Sequence, residues 1–135
     1  SQEDQCQPPI VVFRGSEEID DWRVNINFNL ATSKFLNAEP DVKVHEGFQD
    51  ALFRIDPLLG ESVMDNVVEK VLELTGSSGE VIVTGGSLGG ANAHVTAVYL
   101  ADKYPNMKVN MINFGAPKVG NEAFKSWTEE TLTNL

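Results

Sequence analysis

Ser87 stands in the stretch "VIVTGGSLGGANAHV", residues 81–95, with four glycines crowded around it. A serine so placed suits three kinds of chemistry or none: a phosphate-cradling loop, a nucleophile on a strained turn, or a plain tight connection. The phosphate readings fail on residue types. A P-loop closes on Gly-Lys-Ser or Gly-Lys-Thr, and no lysine lies between Lys70 and Lys103. A dinucleotide fingerprint needs a glycine where Ser87 stands, and "NFGAP" occupies the place of the acidic residue expected after the next strand. Gly85-Gly86-Ser87-Leu88-Gly89 does fit G-x-S-x-G, the nucleophile elbow. There a sharp strand-to-helix turn lifts the hydroxyl above a sheet. Small residues two before and two after avoid clashes, and the following helix N-terminus favours developing negative charge.

That chemistry needs a strand before the serine and a helix after it, and the pattern supplies both. "EVIVTG" is apolar on consecutive residues, as in a central parallel strand covered on both faces. Leu88 to Tyr104 reads as an Ala-rich helix ended by Pro105. Further out, "IVVFR" (10–14), "DVKVH" and "KVNMINFG" read as strands, and Val24 to Leu30 alternates with asparagines at period 2. "GSEEIDDW" suits a short helix start, and Phe48 to Leu74 carries a helical pattern closed by "TGSSG". Asn121 is placed to cap a helix bearing Phe124 and Trp127. Alternating strands and helices predict an α/β fold with a mostly parallel sheet flanked by helices, residues 1–135 forming one domain.

Composition narrows the function. The chain has 41% apolar and 22% charged residues, an ordinary globular balance, and no run approaching a membrane span. A net charge of −10 with scattered basic residues argues against nucleic acid. Cys6 is the sole cysteine, so no disulfide closes within the chain, and no metal-ligand spacing joins Cys6, His45 and His94. No cofactor is called for. The opening "SQEDQCQPP" has neither Met nor a charged, apolar signal segment, and reads as a processed or cut start.

Four segments in order, "VVFRGS" (11–16), "VHEGF" (44–48), "VTGGSLGG" (83–90) and "NFGAPKVGN" (113–121), resemble the class 3 lipases, the fungal-lipase-like branch of the α/β-hydrolase fold. The resemblance implies a serine ester hydrolase acting on acyl lipids, with Ser87 as nucleophile and Ser16 and the Leu88 N–H as oxyanion hole. It also implies Asn25 as support for Ser16, and "EEIDDWRVNINF" as a lid whose Ile19 and Trp22 make transient contact with a lipid interface. Secretion is implied by family habit. Two positions depart from the pattern: Gly86 where the family commonly has His, and Asn25 where it often has Asp.

The histidines do not supply a base. His45, within "VHEGF", reads as structural. His94 lies two helical turns after Ser87, roughly 10 Å along the axis. The only aspartate after Ser87 is Asp102, at the far end of the same helix. The triad order Ser, Asp, His therefore places the acid and the base beyond Leu135, and the domain is expected to be incomplete at both ends. The alternative is a catalytically silent lipase-like module that binds a lipid or a partner protein.

Overall fold

The computed structural model describes residues 7–15 and 29–132. Within them a three-stranded parallel sheet is built from β1 (Ile10–Phe13), β4 (Glu80–Gly86) and β5 (Lys108–Phe114), in the order β1-β4-β5. A separate antiparallel pair is formed by β2 (Leu30–Thr32) and β3 (Lys43–His45). The helices are α1 (Glu46–Phe53), α2 (Val63–Thr75), α3 (Leu88–Lys103) and α4 (Glu122–Thr131), with one 3₁₀ turn at Gly76–Ser78. The α/β class read from the sequence is the one observed.

The sheet places its centre where the apolar run is longest. β4 is flanked on both sides, and α3 lies across the face made by Val81, Val83 and Val109. Ala91, Ala93, Ala97 and Leu100 of α3 are fully buried, and small side chains let the helix approach the strands closely. On its other face β4 is half-buried at Ile82 and Thr84, and the neighbouring strands differ there. Ile10, Val12, Ile112 and Phe114 point from the opposite face and are exposed, Val12 by 64% and Phe114 by 65%.

A correction concerns Phe48 to Leu74, which divides into α1 and α2. Arg54 turns extended, Pro57 cannot continue a helix, and the Asp56 carboxylate accepts the Leu58 N–H at 2.8 Å. α2 restarts at a capping box. Ser62 Oγ accepts from the Asp65 N–H and Asp65 Oδ2 from the Ser62 N–H, each at 3.0 Å. Of the period-2 strand expected over Val24 to Leu30, only its end can be compared: β2 begins at Leu30, and residues 16–28 lie outside the described residues. The helix start expected in "GSEEIDDW" lies there too.

The remaining elements are tied to α3. Asp102, near its C-terminus and only 6% exposed, accepts the N–H groups of Leu36 and Asn37 and the Asn37 side-chain amide. Phe35, in the same segment, stacks on Phe124 and Trp127 of α4 with ring centroids 5.8 and 4.7 Å away. Asn121 caps α4 as expected, its Oδ1 accepting from Phe124 N–H at 2.9 Å. The same oxygen accepts from Lys43 N–H at 3.2 Å, which joins α4 to β3.

Candidate active site

Ser87 follows β4 and is the N-cap of α3, with φ 53° and ψ −124°. It is the one non-glycine residue with positive φ among the described residues. A side chain in that region costs about 1–3 kcal/mol, so the surroundings must impose it. They do so through the backbone. Ser87 N–H donates to the Phe114 carbonyl at 2.8 Å, and the Ser87 carbonyl accepts from the Gly90 N–H at 3.0 Å. The hydroxyl makes no capping hydrogen bond, and the residue is half-buried.

The flanking glycines are required by close approach. A Cβ at Gly85 would lie 2.3 Å from the Gly89 carbonyl oxygen, and one at Gly89 would lie 2.2 Å from that of Phe13. The spacing of two before and two after is thus the spacing at which the turn folds onto itself and onto β1. Gly86 is different. A Cβ there would meet only Phe114, its carbonyl oxygen at 3.7 Å and its Cβ at 4.0 Å, which is ordinary contact.

The four sequence segments meet at this turn or support it. The register Phe13↔Gly85 brings the end of β1 beside the elbow. A Cβ at Gly15 would sit 2.5 Å from the Gly86 carbonyl oxygen and 3.4 Å from Ser87 Cβ, so the residue preceding Ser16 touches the Ser87 turn. Ala116 of "NFGAP" packs on Gly90. "VHEGF" joins "KVGN" through the His45 N–H to the Val119 carbonyl at 2.8 Å. Sequence reasoning singled out neither Gly15 nor the Phe114 carbonyl as part of the site, although both lie inside the motifs it quoted.

Leu88 opens α3, so its N–H belongs to the first turn, whose donors have no intrahelical carbonyl. Ser16, Ile19, Trp22 and Asn25 lie outside the described residues. His94 is engaged by α4. Its Nε2 lies 3.0 Å from Thr128 Oγ1 and its ring 4.9 Å from that of Phe124, both on α4. Burial pushes its imidazole down to about 4. His45 closes β3 and sets its ring edge against Phe48. Asp102 is committed to the 36–37 backbone, as above. Among the described residues no group of three or more His, Cys, Asp or Glu could hold a metal ion.

Hollows among the described residues flank the helices. One of about 460 Å³, lined by His94, Met111, Asn113, Ala116 and Phe124 among others, borders the elbow through Ala116. The larger, about 780 Å³, lies between α1 and α2 with no elbow residue in its wall. Size alone would choose the second. The strained serine and the glycine contacts choose the turn.

Comparison with known proteins agrees with this arrangement. The family described as Lipase (class 3) matches residues 10–135. A secreted mono- and diacylglycerol lipase 1 of Fusarium solani is 33% identical, the match covering 95% of this chain and 36% of that protein. Phospholipase A1 EG1, chloroplastic/mitochondrial, of Oryza sativa subsp. indica is 31% identical over 90% of this chain and 31% of its own length. Among solved structures, a triacylglycerol lipase from Penicillium expansum superposes with a TM-score of 0.73 at 25% identity, over 88% of this chain and 45% of that one. The chain spans about a third of the length of these curated relatives. With the family matched over nearly its whole length and the elbow built as that family's fold requires, this chain belongs to the class 3 lipases.

Proposed function

We propose that this chain carries the nucleophile half of a carboxylic-ester hydrolase acting on acyl lipids. Ser87 Oγ attacks the ester carbonyl carbon, its proton passing to a general base. Collapse of the tetrahedral intermediate expels the alcohol with that proton and leaves an acyl-enzyme. Water, giving a proton to the base, then attacks the acyl carbon; the acyl–oxygen bond breaks, Ser87 Oγ takes that proton back and the fatty acid is released. The oxyanion is held by the Leu88 N–H and by Ser16, with Asn25 hydrogen-bonded behind Ser16. Preorganised donors of this kind contribute several kcal/mol because they need no reorganisation as charge develops. Ile19 and Trp22 form the apolar face of a short lid.

The single observation that carries the reading is the backbone of Ser87, the sole non-glycine residue held at positive φ among the described residues, on a turn closed by Gly85 and Gly89. His94 is held by Thr128 and Phe124 of α4 and His45 closes β3, so neither is assigned as its base in this reading. Acyl-ester substrates are supported by the relatives, which are named as lipases of mono- and diacylglycerols or triacylglycerols and as a phospholipase A1. Secretion is matched by the fungal relative and not by the rice one.

The test is hydrolysis of tributyrin and p-nitrophenyl butyrate by the complete protein that carries these residues. Ser87→Ala is expected to lower kcat by at least about 10³-fold with the fold intact. Lipid binding without turnover in the unaltered protein would replace the enzyme with a silent lipid-binding module.

A further inference from the structure

α3 is buried on nearly all sides, yet it carries two polar oxygens that the fold leaves unpaired. Asn92 Oδ1 and Thr96 Oγ1 are both enclosed and have no hydrogen-bond partner. Thr96 is wholly buried. The two residues are four apart, so their side chains lie one turn above the other on the same stripe, neighbours at about 5–6 Å between Cβ atoms. Tyr99, seven residues after Asn92, continues that stripe and meets Phe53 of α1 with ring centroids 5.1 Å apart. The polar pair therefore lies on the side of α3 turned toward α1, five and nine residues after Ser87.

An enclosed oxygen without a partner is destabilising, and native proteins satisfy such groups with ordered water. Asn92 Oδ1 can only accept, and Thr96 Oγ1 can accept while its hydrogen turns elsewhere. A water molecule has two donors to give. One between side chains at this spacing reaches both oxygens at ordinary hydrogen-bond lengths. We propose that Asn92 and Thr96 form a buried site for one ordered water, bridging the two side chains behind the nucleophile helix. The site is independent of the catalytic reading.

A high-resolution crystal structure of the full chain tests it directly. The expected result is a water peak about 2.6–3.2 Å from both oxygens. Direct hydrogen bonding between the two side chains, or two separated oxygens with no peak between them, overturns the proposal. Thermal unfolding of variants supplies the second arm. Thr96→Val is expected to lower Tm by about 3–6 °C, because it takes one anchor from the water and leaves Asn92 poorly satisfied. Asn92→Leu with Thr96→Val removes both oxygens and restores Tm to near the parent value. A double variant whose loss is the sum of the single losses overturns the bridge.

Discussion

The backbone N–H of Ser87 and the carbonyl of Phe114, 2.8 Å apart, fasten the turn after β4 to the end of β5. The strained serine is thus held from outside its own segment, and the glycines only make room for it. Gly85→Ala and Gly89→Ala would each drive a methyl to within 2.3 Å of a backbone oxygen, and are expected to cost about 3 kcal/mol or more. Gly86→Ala meets only ordinary contact and is expected to stabilise by about 0.4–1 kcal/mol through the unfolded state. Urea unfolding of the three variants checks the order. A Gly86→Ala loss as large as the other two would contradict it.

His94 gives the fold an acid limit. Its folded-state pKa of about 4 lies below the unfolded value of about 6.5, so the unfolded chain takes up the proton first as pH falls. The stability due to its burial is complete above pH 6.5 and is lost progressively down to pH 4, up to about 3 kcal/mol. Tm measured from pH 8 to 4 should fall more steeply in the parent than in His94→Leu. Parallel profiles would remove His94 from the account.

The 135-residue chain on its own is expected to hydrolyse p-nitrophenyl butyrate little faster than buffer. His94 is tied to Thr128, and Asp102 is occupied by the Leu36 and Asn37 amides. Brisk turnover abolished by Ser87→Ala would reveal a base within the chain.

In the complete protein, Ser16→Ala is expected to lower kcat by about 10²-fold, since one backbone donor survives. Asn25→Ala should cost less, acting through Ser16. Steady-state kinetics on a soluble ester separates them. A silent Ser16→Ala beside a severe Asn25→Ala would reverse the assignment.

Asp102→Ala leaves the Leu36 and Asn37 amides without their shared acceptor. Hydrogen bonds to a charged group contribute about 1.5–3 kcal/mol, and a loss of that size is expected in chemical denaturation, larger than for Asp102→Asn.

The sequence disclosed what local pattern controls. The consecutive apolar residues of 80–86, the glycine spacing around Ser87, and Asn121 three residues before Phe124 each correspond to an element or cap that forms where the pattern places it. It misled where a long window hid a local break. Pro57 and the Asp56 turn lie inside the 48–74 periodicity, and their backbone chemistry overrides the apolar spacing on either side. It was silent on contacts between distant segments. Nothing near Asp102 signals that its carboxylate holds the backbone at 36–37, nor near Gly15 that it rests against Ser87. Such pairings depend on strand order, which periodicity does not encode.

That strand order also sets when the elbow can form. β4, α3 and β5 are consecutive in the chain, and the Ser87 turn lies wholly within this βαβ unit, fastened by its own third member. β1 must cross roughly 70 residues to pair with β4, a closure that carries a larger entropic cost and is met later. The turn is therefore expected to assemble in the early, locally connected part of the folding reaction. The approach of Phe13 and Gly15 to Gly89 and Gly86 is expected to follow it, so stopped-flow kinetics should show substitutions at Gly85 slowing folding and those at Gly15 chiefly hastening unfolding.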